Sequence, residues 1–156
     1  LRIKIYINKV KYKKLKDKAL AENSEFIPLS IKLEAEISEL EQNEKESFLK
    51  DLGINQPALE KLIKTSYNSL GLGTFFTAGE KEVRSWIIKK GSLAPEAAGV
   101  IHTDFQKGFI RAEVISFEDY IAHEGDQGAK IAGKLRSEGS EYVVNEGDVI
   151  LFRFNV

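Results

Sequence analysis

Cysteine and methionine are absent from the 156 residues of this chain, and there are only three prolines and one tryptophan. Without cysteine the chain can form neither a disulfide nor a thiolate metal site, which suits a reducing compartment. No apolar run approaches the roughly 20 residues that span a bilayer. The first residues also lack the layout of a signal peptide. We therefore expect a cytoplasmic protein without a membrane partner.

The missing methionine also bears on where the chain starts. The first residues alternate in the manner of a strand, with Ile3, Ile5 and Ile7 on one side. A natural N-terminus rarely begins inside a strand. We therefore expect this chain to be a fragment of a longer protein.

The apolar share of 42% is enough for a buried core, but the charges are unevenly spread. Residues 1–23 carry eight Lys or Arg against two acids, whereas residues 71–156 carry thirteen acids against ten bases. A basic cluster favours contact with phosphate or nucleic acid. It is equally typical of a solvated helix face, and the sequence leaves both interpretations open.

The first part of the chain is predicted to contain two strands around a helix, at 2–8, 12–22 and 25–30. A strand, a helix and a strand of these lengths suggest a parallel crossover in an α/β sheet. Three further helices are predicted at 33–41, at 44–51 and from Pro57 onwards.

Gly71 and Gly73 interrupt the helical pattern, and we place a domain boundary there. The pattern that follows predicts a short-stranded α+β fold. Its predicted elements are a strand at 83–88, a helix at 94–101, a strand at 109–117, a helix at 126–137 and a hairpin that joins 142–144 to 149–154.

Two stretches of this second part are distinctive. The first runs from Phe75 to Gly79 and from Glu82 to Trp86; the second runs from Ala97 to Phe105 and from Lys107 to Glu113. Both resemble the TGS domain of YchF-type Obg-like ATPases, as do the segments 129–134 and 147–156. The resemblance implies that residues 71–156 form a TGS domain, a β-grasp fold like that of ubiquitin.

The resemblance continues upstream through residues 27–37. It implies that residues 1–70 are the last strands and helices of an α/β P-loop nucleotide-binding domain of the G type. The implied contacts to the nucleotide base are Asn8, Lys9, Ser30, Ile31 and Lys32. Lys11 stands where the family has an acid and cannot accept the guanine hydrogen bonds, so guanine selectivity is disfavoured.

The sequence contains neither a Gly-x-x-x-x-Gly-Lys-Ser/Thr loop nor an Asp-x-x-Gly switch segment. Phosphoryl transfer requires a positioned phosphate and a metal ion. We therefore expect no catalytic residue, no metal ligand and no cofactor in this chain alone. The resemblance implies that ATP and Mg²⁺ are bound by the full-length protein.

The resemblance also implies a ribosome or RNA as partner. The candidate RNA- or partner-binding residues of the second part are Arg84, Lys89, Lys90, His102, Lys107 and Arg111. They alternate with aromatic residues that could stack on bases but are also natural core residues. The alternative is a protein-interaction module that uses its sheet face or edge and binds no nucleic acid.

The segment from His102 to Asp104 superficially resembles part of a catalytic set. Neighbouring residues rarely meet as nucleophile and base. We expect a turn there, in which the side chains of Thr103 and Asp104 bond the local backbone.

Overall fold

A computed structural model of the chain describes residues 9–79 and 81–155, with side chains from Tyr12 onwards. These residues form two compact units that divide between Ser66 and Tyr67.

The first unit is helical throughout its regular elements. Its helices are α1 (Lys9–Ala21), α2 (Ile31–Glu39), α3 (Gln42–Asp51) and α4 (Ala58–Ser69), the last of which continues into the second unit. Among the described residues of this unit, Ile37 of α2 and Leu49 of α3 are buried. The predicted helices at 33–41, at 44–51 and after Pro57 are confirmed, with starts one or two residues away from the predicted ones.

A carboxylate joins two of these helices. Glu34 of α2 accepts hydrogen bonds from the backbone N–H groups of Ala58 and Leu59, at 2.9 and 3.2 Å. The first N–H groups of a helix have no partner within the helix. A negative charge at this end also interacts favourably with the positive end of the helix dipole. Glu34 therefore fixes the start of α4 against α2.

The predicted strand at 25–30 is wrong, because these residues carry no regular structure. Pro28 lies in the middle of the segment and has no amide to donate to a ladder. The predicted strand at 2–8 lies outside the described residues. The helix expected at 12–22 begins earlier, at Lys9, and ends at Ala21.

The second unit is an α+β fold built on one five-stranded sheet. Its strands are β1 (Leu72–Ala78), β2 (Val83–Lys89), β3 (Phe109–Ile115), β4 (Arg136–Glu138) and β5 (Val149–Phe154), in the order β2-β1-β5-β3-β4. Its helices are α5 (Ala94–Ile101), α6 (Thr103–Lys107), α7 (Phe117–Ala122) and α8 (Asp126–Ile131). β1 and β5 are parallel, and the other neighbouring pairs are antiparallel.

The core lies between one face of the sheet and helix α5. Phe75, Val114 and Ile150 are fully buried on that face. Three alanines of α5 are also fully buried, at positions 94, 97 and 98. Their small side chains let the helix approach the sheet closely, so Phe75 and Phe152 pack edge to face beneath it with ring centroids 5.9 Å apart.

Two predicted elements extend too far. The strand at 109–117 ends at Ile115, because the Ser116 hydroxyl accepts from the Asp119 N–H and starts α7 at Phe117. The helix at 126–137 ends at Ile131. Gly133 takes a φ of 71° and closes the helix end, and the amide of Lys134 bonds the carbonyl of Ala129 at 2.8 Å.

The predicted hairpin at 142–144 and 149–154 is wrong. β5 pairs with β1 and β3, and Val143 forms only an isolated bridge with Leu93. The turn before β5 is held by β1, since Gly147 donates to the Thr74 carbonyl and Phe76 donates to the Asp148 carbonyl, both at 2.8 Å. The pattern had not predicted β1 as a strand, although Phe75 at its centre is fully buried.

Within the part of the chain that the structure covers, no helix has the length and apolar character needed to cross a membrane.

Candidate functional site

The residues predicted to contact a nucleotide base lie in the first unit. Ser30 is the N-cap of α2, and its hydroxyl accepts from the Leu33 N–H at 3.4 Å. Ile31 follows with 79% of its surface exposed, and Lys32 is exposed as well. Asn8 lies outside the described residues, and Lys9 is the first residue of α1. The base-contact role of these five residues stays a prediction.

The candidate RNA-binding residues belong to the second unit, and strand alternation divides them between the two faces of the sheet. Arg84 is opposite Thr77 in the β1–β2 register and shares the face of Phe75, on which α5 packs. Lys89 lies on the other face of β2, and Arg111 lies on the corresponding face of β3, opposite Arg153. We call the face that carries Phe75 and Arg84 the helix face, and the face that carries Lys89, Arg111 and Arg153 the open face.

On the helix face, Arg84 is stacked on an aromatic ring. Its guanidinium carbon lies 4.2 Å from the Trp86 ring centroid, and the ring is fixed by a 2.9 Å hydrogen bond from Nε1 to the Thr77 hydroxyl. Glu82 is 3.9 Å away across an exposed ion pair. Because surface pairs of this length contribute little, Arg84 keeps most of its positive character for a ligand.

His102 and Lys107 bracket α6 at the rim of the same face. The Nδ1 atom of His102 accepts from the Asp104 N–H at 3.2 Å and caps the helix. The expectation that Thr103 and Asp104 bond the backbone with their side chains is wrong, because the imidazole takes this role. Phe105 is stacked on Phe154, with centroids 3.9 Å apart, and Lys107 is exposed at the end of α6.

On the open face, two arginines share one carboxylate. Arg111 and Arg153 donate to the two oxygens of Glu113, at 3.0 and 2.9 Å. The hydrogen bond from Arg153, followed by that from Arg111, lowers the pKa of Glu113 below its ordinary value. The Glu113 side chain is only 15% exposed, so the cluster presents two guanidinium groups around a covered acid.

Arg153 was not among the residues predicted from the sequence. Its position between Phe152 and Phe154 in a strand is a signal for it, since the residue between two core aromatic residues must point to the other face. The sequence does not predict that β5 pairs with β3, and it is this pairing that places Arg153 opposite Arg111.

A cavity of about 180 Å³ lies beside this cluster, between α8 and the open face. Asp126, Gln127 and Lys130 of α8 line one side, and Glu113, Leu151 and Arg153 of the sheet line the other. The acids and the cations of this lining are equal in number, so the cavity has no strong preference for one sign of charge.

Lys90 is held at the end of β2, where its ammonium donates to the Asn68 side-chain oxygen at 2.7 Å. Over residues 9–79 and 81–155 no three His, Cys, Asp or Glu residues come together as metal ligands would. His123 is the C-cap residue of α7 and takes no part in such a group.

The six candidate residues therefore do not form one patch. Arg84, His102 and Lys107 belong to the helix face and its rim, whereas Lys89 and Arg111 belong to the open face. Arg111 is partly neutralised by Glu113, and Arg84 retains a stacked, half-exposed guanidinium. An anionic ligand would therefore be bound better by the cations of the helix face than by those of the open face.

Comparison with known proteins relates the chain to one family. The family model YchF-GTPase_C, described as a protein of unknown function (DUF933), matches residues 72–155. A ribosome-binding ATPase YchF from Bacillus subtilis (strain 168) is 58% identical over 143 residues, which are 92% of this chain and 39% of that protein. A protein of the same name from Escherichia coli O157:H7 is 53% identical over 138 residues, 88% of this chain and 38% of its own.

A solved structure agrees with this relationship. The YchF GTPase of Schizosaccharomyces pombe superimposes with a TM-score of 0.76 and 37% identity, over 91% of this chain and 38% of its own. The chain thus spans about two fifths of the length of the relatives it matches. Since the family model matches more than half of the 156 residues, the chain belongs to the YchF family of Obg-like ATPases, in the part that the YchF-GTPase_C model describes.

Proposed function

We propose that this chain is the C-terminal portion of a ribosome-associated ATPase and that its second unit is the binding module. The observation that carries the proposal is the name ribosome-binding ATPase, borne by relatives that are 58% and 53% identical over most of the chain. Because the chain spans about two fifths of those relatives, ATP, Mg²⁺ and the hydrolytic residues are proposed for the longer protein only.

The binding module is proposed to be a TGS domain of the β-grasp type over residues 71–156. A mixed sheet with parallel central strands β1 and β5, crossed by helix α5, supports this proposal. Residues 1–70 are proposed to be the end of the nucleotide-binding domain. Asn8, Lys9, Ser30, Ile31 and Lys32 would contact the base in the complete domain.

Within the module, the helix face is the proposed RNA-contacting side. Arg84 stacked on Trp86 offers a cation and a ring, the two groups that bind single-stranded phosphates and bases. His102 and Lys107 add polar and basic groups at the rim. Co-sedimentation of the chain with purified ribosomes tests the proposal, which expects pelleting at low salt and would be rejected if the chain stayed in the supernatant.

The chain alone is proposed to lack ATPase activity, since its sequence has no phosphate-binding loop of the Gly-x-x-x-x-Gly-Lys-Ser/Thr type. Release of phosphate from ATP by the purified chain is expected to stay at the level of buffer. Magnesium-dependent release that co-elutes with the chain on gel filtration would contradict this expectation.

A protein-interaction module is the second candidate function. The observation that favours it is the exposed strand β2 at the edge of the sheet, with Val83 and Ile87 open to solvent.

A further inference from the structure

Strand β2 forms one edge of the sheet and is regular along its whole length. All seven of its residues pair with β1, from Val83 opposite Ala78 to Lys89 opposite Leu72, without a bulge. β2 is the last strand in the order, so its other side has no neighbouring strand among the described residues. Val83 and Ile87 are 73% and 48% exposed on this edge.

The register identifies which backbone groups of β2 point outwards. Gly79 donates to the Glu82 carbonyl at 3.0 Å, and Lys90 donates to the Gly71 carbonyl at 2.8 Å. In an antiparallel ladder, hydrogen-bonded pairs occur at every second residue. The even-numbered residues 82–90 therefore face β1, and the N–H and C=O groups of Val83, Ser85 and Ile87 face away from it.

Among the described residues, no backbone hydrogen bond from another element reaches those three positions. Lys89 is the next outward residue. Its carbonyl already accepts a hydrogen bond from the Ser92 N–H at 3.1 Å, so the stretch available for strand pairing ends before Lys89. Three consecutive outward residues are enough to pair with an extended segment of about five to seven residues.

The opposite edge of the sheet differs. β4 has only three residues, Arg136, Ser137 and Glu138, and two of them are charged. Short length and charge are the usual means by which proteins protect a sheet edge from pairing. β2 is more than twice as long, contains no proline and carries exposed aliphatic side chains, so its edge is open to strand addition.

The positive charge along the β2 edge favours an acidic partner segment. Residues 80–90 carry four cations, Lys81, Arg84, Lys89 and Lys90, against Glu80 and Glu82. Like charges oppose the pairing of β2 with a second copy of itself, whereas they attract a segment rich in Asp and Glu.

We infer that β2 binds an acidic, extended protein segment by β-strand addition. Apolar side chains of that segment would lie beside Val83 and Ile87 on the open face, and carboxylates would lie beside Arg84 and Lys89. The outward amide groups supply affinity, and the alternating side chains supply specificity. This inference goes beyond the proposed ribosome association and rests on the second candidate function, since RNA phosphates would use the cations of β2 but not its outward amides.

The test uses the 156-residue chain and a fluorescein-labelled peptide of nine residues, with alternating valine and serine at its centre and two glutamates at each end. The central variant is Ser85→Pro, which removes an outward N–H without breaking a bond to β1. Ser85→Ala is its matched control, because it keeps the N–H. Fluorescence anisotropy should show binding by the unchanged chain and by Ser85→Ala, and at least tenfold weaker binding by Ser85→Pro.

A second pair of probes keeps the test decisive if Ser85→Pro fails to fold. N-methylation of one alternate set of peptide amides should abolish binding, and N-methylation of the other set should leave it intact, because only one set faces β2. Exchange of the four glutamates for lysines should also abolish binding. Absence of peptide binding, equal binding by Ser85→Pro, or equal effects of the two methylated sets would each overturn the inference.

Discussion

At the scale of single residues, the buried acid Asp148 organises the turn before β5. It is 3% exposed, and its Oδ2 atom accepts from the Tyr142 hydroxyl at 2.7 Å and from the Asn145 N–H at 2.8 Å. Arg136 approaches the other carboxylate oxygen at 3.6 Å and donates to the Tyr142 hydroxyl at 3.1 Å. The acid is therefore satisfied by groups from the turn and from β4, as a buried charge must be.

This network gives the stability of the second unit a pH dependence at the alkaline end. Burial, followed by the hydrogen bond to Asp148, raises the pKa of the Tyr142 hydroxyl. A raised folded-state pKa stabilises the fold below the unfolded value of about 10, and this contribution is lost as the pH rises through the folded value.

The variant Tyr142→Phe leaves Asp148 with one donor fewer in a buried position. We expect a loss of about 1–2 kcal/mol in the free energy of unfolding at pH 7. We also expect a smaller decline in stability above about pH 10 than in the unchanged chain. Urea unfolding followed by circular dichroism at several pH values measures both effects, and an unchanged alkaline decline would contradict the assignment to Tyr142.

At the scale of elements, the contact from Glu34 to the first N–H groups of α4 is the clearest link within the first unit. The variant Glu34→Ala removes both acceptors. We expect α4 to lose about 1 kcal/mol of local stability, which corresponds to roughly fivefold faster hydrogen exchange of its amides. Glu39→Ala is the matched control, since Glu39 is exposed at the end of α2. Equal exchange in the two variants would show that the contact does not stabilise α4.

The elements also mark how far the sequence could predict the fold. Helix α5 and strand β2 were predicted to within a residue, because a proline near the helix start and a run of β-branched and aromatic residues are local signals. The partner of β5 was predicted wrongly. Sequence proximity favoured a hairpin with residues 142–144, whereas β1 and β3, which lie more than 30 residues upstream of β5, form the actual ladders.

The same limit applies to the candidate site. The sequence identified Arg84 and Arg111 as cations in or beside strands, but only the pairing of β1 with β2 and of β3 with β5 shows that they lie on opposite faces. The capping role of His102 was missed, because a histidine cap has no pattern as distinct as that of Ser, Thr or Asp.

At the scale of the whole molecule, the second unit carries a slight excess of acids, although it is proposed to meet an anionic partner. Non-specific electrostatic attraction between this unit and RNA is therefore weak. Binding of RNA must then rely on cations that are not already paired with acids. Arg84 and Lys107 satisfy this condition better than Arg111, whose guanidinium is bonded to Glu113.

The measurement that tests this account most directly is co-sedimentation with ribosomes over a salt series, for the unchanged chain and for two double variants of equal charge. One variant changes Arg84 and Lys107 of the helix face to Ala, and the other changes Lys89 and Arg111 to Ala. We expect the helix-face variant to lose most of its pelleting, with a salt slope smaller by about 1.5 for two lost phosphate contacts. The other variant should pellet nearly as well as the unchanged chain. The reverse ranking, or pelleting that does not depend on salt, would contradict the account.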